Sequence, residues 1–252
     1  MRTKFTIVAL VVSCALAGAA SFVIAWLWLG WAGFTMFVEA ALVLFGIYVR
    51  LIRPWHSTWG ATHDEIHRRM PGDEIIPNAA MTTRAISIGC QPEQVWPWLV
   101  QIGYGRAGWY SYDWIDNDGR ASAKRILPEF QELRVGDRIE MVPGYGPAVI
   151  EMEANSHIVA GDGEGGSWCL AIYQHPDGSR LVSRWRQAWK TTGLASRFFV
   201  LFADPGAFIM EQKMLRGIRD RAESSHSPGT SNDHSEFSGR SYDEARSPLG
   251  AG

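Results

Sequence analysis

The sequence has few cysteines and no excess of basic residues. The three cysteines, Cys14, Cys90 and Cys169, lie far apart and outside any CxxC pattern, which indicates thiols rather than a disulfide framework or a zinc site. Lysine and arginine number 24 against 26 acidic residues, giving a net charge of -2, so nucleic acid is not expected as a partner. The glycines at 103, 105 and 108 follow a helical run rather than a strand, which excludes a dinucleotide fingerprint. We therefore expect no cofactor.

Charged residues are also nearly absent from the start of the chain, where Glu39 is the single charged residue in residues 5–49. As a single helix these residues would extend about 68 Å, roughly twice the hydrocarbon core of a bilayer. Two transmembrane spans, residues 6–29 and 33–51, are therefore predicted within a hairpin of residues 1–54. Tryptophans near the turn and just after the second span are typical of membrane interfaces.

The basic residues predict the orientation of this hairpin. Arg2 and Lys4 precede the first span, Arg50 and Arg53 end the second, and the turn carries no basic residue. Under the positive-inside rule the N-terminus and the following domain face the cytoplasm, which predicts a multi-pass protein of the plasma or inner membrane. A cleaved signal peptide is the alternative, although the second apolar stretch would then remain as an anchor. Glu39 lies inside the second span, and its role is left open.

Residues 55–80 are predicted to form a linker with one short helix, which Thr62 can cap. His63 and His67 have the spacing of zinc ligands on a helix, but Asp64 stands where a metalloprotease needs glutamate. A polar helix is favoured and no metal is predicted.

The pattern of apolar and polar residues over residues 81–223 predicts an α+β domain. The pattern indicates a strand at 81–88, a helix opened by Pro92, a second short helix over 110–117, and a last helix capped by Asp204 with Pro205 in its first turn. Further strands are predicted at residues 138–142, 148–153, 156–161, 167–174 and 180–189. Because short turns separate them, they are expected to pair antiparallel. One face of the sheet is expected to be apolar and the other exposed to solvent. The tail, residues 224–252, is predicted to be disordered.

Several strings in this domain resemble one family. They are Trp59-Gly60-Ala61-Thr62, Pro71-Gly72-Asp73, residues 95–103 (VWPWLVQIG), residues 106–114 (RAGWYSYDW), Pro128-Glu129-Phe130-Gln131 and Val135-Gly136-Asp137. With the order of elements, they resemble a membrane-anchored branch of the START/Bet v 1-like (SRPBCC) superfamily, which includes polyketide cyclase-like proteins. The resemblance implies a helix-grip fold, in which a curled antiparallel sheet surrounds a long C-terminal helix and leaves a cavity for an apolar or amphipathic molecule.

Because this superfamily uses one pocket for binding, transfer and cyclisation, the resemblance assigns no catalytic residue. Aromatic side chains with polar neighbours favour a ligand pocket. The candidates for pocket lining are Arg106, Trp109, Tyr110, Tyr112, Asp113, Trp114, Glu129, Trp168, Ser183 and Trp185.

The leading functional hypothesis is a membrane-anchored protein that binds a hydrophobic small molecule or lipid, with the bilayer and that ligand as its partners. Two alternatives are open. One is a cyclase or dehydratase-type enzyme that uses Arg106, Asp113 or Glu129. The other is a membrane-tethered interaction module without a ligand. The sequence predicts neither the oligomeric state nor the identity of the ligand.

Overall fold

The computed structural model describes residues 2–162, 165–188 and 194–226. Six α-helices lie in these ranges: α1 (Arg2–Ile47), α2 (Arg53–Ser57), α3 (His63–His67), α4 (Pro92–Val100), α5 (Asp113–Asp116) and α6 (Leu194–His226). The five strands are β1 (Ala80–Ile88), β2 (Ala148–Glu153), β3 (His157–Gly161), β4 (Gly166–His175) and β5 (Gly178–Gln187). A π-helical turn, Tyr48–Ile52, joins α1 to α2, and Pro128–Phe130 forms a 3₁₀ turn.

Helix α1 reverses direction at Gly30, where the backbone leaves the helical region with φ of +54°. Phe22 and Phe37 would lie about 22 Å apart along a straight helix, yet their ring centroids are 5.8 Å apart. A Cβ added at Gly33 would lie 2.1 Å from the Ala25 carbonyl oxygen, so the two arms touch through a residue without a side chain. By length and composition, the apolar helix can cross a membrane.

The five strands form one antiparallel sheet in the order β1-β5-β4-β3-β2. The predicted strand at residues 138–142 is wrong, because this segment makes only isolated bridges, from Arg138 to Ala148 and from Val142 to Tyr145. Pro143 and Pro147 flank the turn and have no N–H to donate, so a regular ladder cannot continue through them. The end of the predicted strand at Trp189 lies outside the described residues.

One face of the sheet packs against α4 and α6 and forms the main core. Pro92 starts α4 at its first position, and Trp98 and Leu99 of that helix are buried against the sheet. From α6, Leu215 and Ile218 fill the centre. This arrangement of a curled antiparallel sheet and a long C-terminal helix is the α+β helix-grip fold.

The second face of the sheet is also covered, so the prediction that it is wet is wrong. Residues predicted as a linker pack there, and Met70 joins Val159, Cys169 and Val182 in a second apolar cluster. Arg184 points to this side and is buried. It donates to the Asp73 carboxylate at 2.8 Å and to the carbonyl oxygens of Arg68, Glu65 and Ile66. An arginine has enough donors to hold a folded-back loop in this way.

Two helix boundaries differ from the predictions. Helix α6 begins at Leu194, ten residues earlier than predicted, and Pro205 lies inside it; the Asp204 carboxylate contacts arginines and caps no helix. Helix α5 begins at Asp113, since Tyr110 has a φ of +55° that no right-handed helix contains. Helix α6 also extends to His226, into the predicted tail, whose remaining residues lie outside the described ranges.

Candidate functional site

Three tryptophans predicted as pocket-lining residues form one stack, which we call the tryptophan column: Trp109, Trp168 and Trp185. Trp168 and Trp185 are directly paired across β4 and β5. Their rings are therefore parallel, with centroids 4.9 Å apart and planes 10° apart. Trp109, from the loop after α4, lies 5.9 Å from Trp168. The column is buried at Trp109 and Trp168 and partly exposed at Trp185.

Polar atoms lie beside this column. The Trp168 Nε1–H donates to the hydroxyl of Ser183, another of the pocket-lining candidates, at 2.9 Å. The Trp109 Nε1–H is buried without a hydrogen-bond partner. Leaving a buried donor unpaired costs about 1–3 kcal/mol, so a ligand atom that accepts from Trp109 would gain binding energy here.

Two of the other candidate residues, Arg106 and Tyr110, make structural contacts of their own. Arg106 donates to the carbonyl oxygens of Val100 and Phe130, at 3.0 and 2.8 Å, and burial lowers the pKa of its guanidinium. Tyr110 accepts from Gln101 and donates to the Trp98 carbonyl oxygen. Burial raises the pKa of Tyr110 to about 12. These contacts fix the loop that carries Trp109.

The remaining candidates lie on or near α5 and the 3₁₀ turn. The Asp113 carboxylate accepts from the backbone N–H and the hydroxyl of Ser122. Tyr112 is half-buried at the start of α5, whereas Trp114 and Glu129 are exposed. The structure therefore brings Trp109, Trp168, Ser183 and Trp185 together and distributes the other six around them. Contact of any of the ten with a ligand stays a prediction.

A buried polar cluster adjoins the column, and the sequence analysis missed it. We call it the polar junction: Arg53, His56, Arg84, Asp204 and Glu211. Arg84 of β1 is 1% exposed. Its guanidinium pairs with Glu211, lies 3.4 Å from Asp204 and donates from Nε to the His56 carbonyl oxygen at 2.8 Å. Arg53 lies 3.2 Å from the other Asp204 oxygen. The junction thus joins the end of the apolar helix to the sheet and to α6.

Glu211 connects the junction to the column. Arg84 and Ser183 are directly paired across β1 and β5, which places both side chains on the face toward α6. Burial raises the pKa of Glu211, and Arg84 and the Ser183 hydroxyl partly offset that effect. Its Oε1 atom is buried and makes no hydrogen bond. Trp109 Nε1 and Glu211 Oε1 are thus two of several buried polar atoms without a hydrogen-bond partner in the described part of the chain; Arg106 Nε and both Asp116 oxygens are others.

A signal for the junction was present in the sequence. Arg84 has the same strand parity as Ile86 and Ile88, and Glu211 lies between Phe208 and Met214 on the apolar stripe of α6. A charged residue at a core position is rarely buried unless it is paired. Two such residues of opposite sign indicate an ion pair, although only the folded chain shows that these two meet.

Among the described residues, no group of three metal-ligating side chains comes together. The rings of His63 and His67 are close, but His67 Nδ1 is hydrogen-bonded to the His63 carbonyl oxygen. Of the ionisable candidates, Arg106 donates to the carbonyl oxygens of Val100 and Phe130, and Asp113 accepts from Ser122. What the core offers is a flat aromatic surface with a few polar atoms beside it.

The space between the sheet and α6 is occupied by large side chains, Trp98, Trp168 and Leu215 among them. Two clefts, of about 460 and 300 Å³, lie outside this core instead. Both include Ser87 and His175, at the end of the sheet where β4 turns into β5. A ligand at the tryptophan column would therefore have to displace side chains or enter beside Trp185.

Comparison with known proteins gives structural neighbours only. No family model matches the sequence, and no curated protein matches it. Among solved structures, protein MLL2253 from Mesorhizobium loti is similar at 14% identity and a TM-score of 0.38, covering 58% of this chain and 98% of that one. The polyketide_cyc-like protein Cgl2372 from Corynebacterium glutamicum has 19% identity, a TM-score of 0.28 and coverage of 59% and 90%. The AHSA1-like protein from Aeromonas hydrophila has 16% identity, a TM-score of 0.33 and coverage of 58% and 94%.

Proposed function

We propose that this chain is a membrane-anchored domain that binds an amphipathic small molecule at the tryptophan column. The observation that carries the proposal is the buried Trp109 Nε1–H, a donor without a hydrogen-bond partner at one end of an aromatic stack. A molecule with an apolar body and one polar end would lie against the indole rings and supply the missing hydrogen bond.

The anchoring part of the proposal has separate support. The apolar arms of α1 meet at Gly30, and basic residues stand at the outer ends of both arms, Arg2 and Lys4 at one and Arg50 at the other. This distribution favours two spans with the domain on the cytoplasmic side. The junction then lies next to the bilayer, so a ligand drawn from the membrane would travel only a short distance to the column.

Binding is tested with the full chain in detergent micelles and a dansyl-labelled fatty acid as the probe. Energy transfer from tryptophan to dansyl reports occupancy, and native mass spectrometry reports the stoichiometry. The matched variants are Trp109→Phe, which removes the Nε1–H and one ring of the indole from the column, and Trp114→Phe, which makes the same change on the surface.

We expect saturable one-to-one binding that Trp109→Phe weakens at least about fivefold, because one neutral hydrogen bond contributes roughly 1 kcal/mol and the smaller ring also offers less contact area. Trp114→Phe should leave the dissociation constant unchanged. Probe uptake that does not saturate, or an equal effect of both variants, would contradict binding at the column.

A second function is favoured by one observation, the dense packing between the sheet and α6. A membrane-tethered interaction module would need no ligand, and its core would be filled in this way. The same titration separates the two, since a module would bind no probe and would release no small molecule in the mass spectrometer. The cyclase-type alternative has less support, because two of its three proposed residues, Arg106 and Asp113, are engaged in separate structural contacts.

A further inference from the structure

Three large apolar side chains are exposed at one end of the domain, and we call them the proximal rim: Trp55, Trp114 and Ile209. Their exposures are 59%, 56% and 51%. Single exposed apolar residues are common on any protein. These three belong to separate elements, α2, α5 and α6, so their common position requires an explanation.

The contacts of these elements place the rim where the apolar helix arrives. Trp55 lies on α2, directly after the apolar helix, and its ring is 5.5 Å from Phe208, the neighbour of Ile209. The Ser111 hydroxyl, just before α5, donates to the Met210 carbonyl oxygen at 2.9 Å. Helix α5, which carries Trp114, also lies beside α1. All three rim residues therefore surround the end of the domain that is attached to the apolar helix.

The charge next to the rim fits a lipid headgroup region. Along the exposed stripe of α6, Ile209 is followed by Lys213 and Arg216, one and two turns farther from the apolar helix. An apolar residue followed by cations matches the order of acyl chains and anionic headgroups that an interfacial helix meets. Arg50, at the end of the apolar helix, is exposed as well.

We propose that the proximal rim docks the domain onto the surface of the bilayer, with Trp55, Trp114 and Ile209 at the level of the lipid headgroups and Lys213 and Arg216 in contact with anionic lipids. This inference rests on the membrane anchoring proposed above. It adds that the domain lies on the membrane instead of standing away from it.

The test measures depth in the bilayer with a fluorophore on the full chain. The chain, with Cys14→Ser to limit labelling, is reconstituted into vesicles of phosphatidylcholine and phosphatidylglycerol. Nitrobenzoxadiazole is attached through Trp114→Cys or Ile209→Cys, and lipids with a nitroxide near the headgroup are the quencher. Asp177→Cys, at the exposed turn between β4 and β5, is the matched distal control, and Leu44→Cys on α1 reports insertion.

We expect quenching at positions 114 and 209 about threefold stronger than at position 177, and weaker quenching at 209 when the anionic lipid is omitted. If Leu44 is quenched while 114 and 209 behave like 177, the rim does not dock although the anchor inserts. If Leu44 is not quenched, both the anchoring and the docking are wrong. Energy transfer between labels at 114 that rises with protein density, without quenching by lipid, would assign the rim to a second copy of the chain and overturn the proposal.

Discussion

Asp116 in α5 should make the stability of this domain depend on pH near neutrality. Its side chain is 4% exposed, and neither carboxylate oxygen has a hydrogen-bond partner. Burial, with a further contribution from the negative charge of Asp113, raises the pKa of Asp116 to about 7 from 3.8. The perturbation that isolates this effect is Asp116→Asn, which keeps the shape and removes the charge.

The sign and the size follow from proton linkage. The unfolded chain loses this proton near pH 4, whereas the folded chain keeps it to about pH 7. Between these pH values the folded state binds more protons than the unfolded state. The contribution of Asp116 to stability is therefore greatest below pH 4 and falls as pH rises to 7. Each pKa unit corresponds to about 1.4 kcal/mol of free energy of unfolding. The contribution of Asp116 therefore falls by about 4 kcal/mol over the whole window and by about 3 kcal/mol between pH 5 and pH 8.

Urea unfolding of the full chain in micelles, followed by circular dichroism, measures this difference. Asp116→Asn should stabilise the protein relative to the parent chain by about 3 kcal/mol more at pH 8 than at pH 5. Asp177→Asn, which changes an exposed carboxylate in the same way, should show no such pH dependence. An Asp116→Asn effect that is equal at both pH values would refute the reasoning that burial keeps this carboxyl protonated.

Two further predictions use the same unfolding assay. Arg184→Met should destabilise by about 3–5 kcal/mol, because it removes the closer of two arginines from the Asp73 carboxylate and leaves several carbonyl groups without their donor. Exposed Arg134→Met should cost less than about 0.5 kcal/mol, and similar values for the two variants would contradict the role of Arg184. Arg84→Met should cost at least about 1 kcal/mol more than Glu211→Leu, since the former leaves Glu211 buried without a cation, whereas Glu211→Leu leaves Arg84 beside Asp204. The double variant should be more stable than Arg84→Met alone, and a double-mutant cycle without coupling would disprove the pair.

The parts of the fold that depend on local pattern could be predicted from the sequence. Alternation located β1 to within one residue, and turn chemistry located the hairpins of β2 to β5. The capping box of α3 was visible in Thr62 and Glu65. Local pattern failed at Asp204, where an aspartate before a proline predicts the start of a helix. In the folded chain Asp204 contacts arginines from elsewhere, and the helix continues through it.

Features that depend on distant contacts could not be predicted. Strand parity placed Arg184 on the face opposite the core, but parity does not tell which chain segment covers that face. The stack of Trp168 on Trp185 required the register of two strands. The Arg84–Glu211 pair joins residues that are 127 positions apart. Each of these three features depends on which residues become neighbours in the folded chain. A single sequence indicates only the type of environment that each residue prefers.

The polar junction has a mechanical consequence for the whole protein. Arg84 holds the carbonyl oxygen of His56, and Asp204 holds Arg53, so the first residues after the apolar helix are already part of the domain. A Gly/Ser-rich linker would instead behave as a flexible coil and let the domain reorient relative to the helix. In this chain the residues that directly follow the apolar helix are held by these contacts, so they do not act as a flexible linker. Any tilt or rotation of the apolar helix within a bilayer would be transmitted to the sheet and to the tryptophan column as a rigid-body movement.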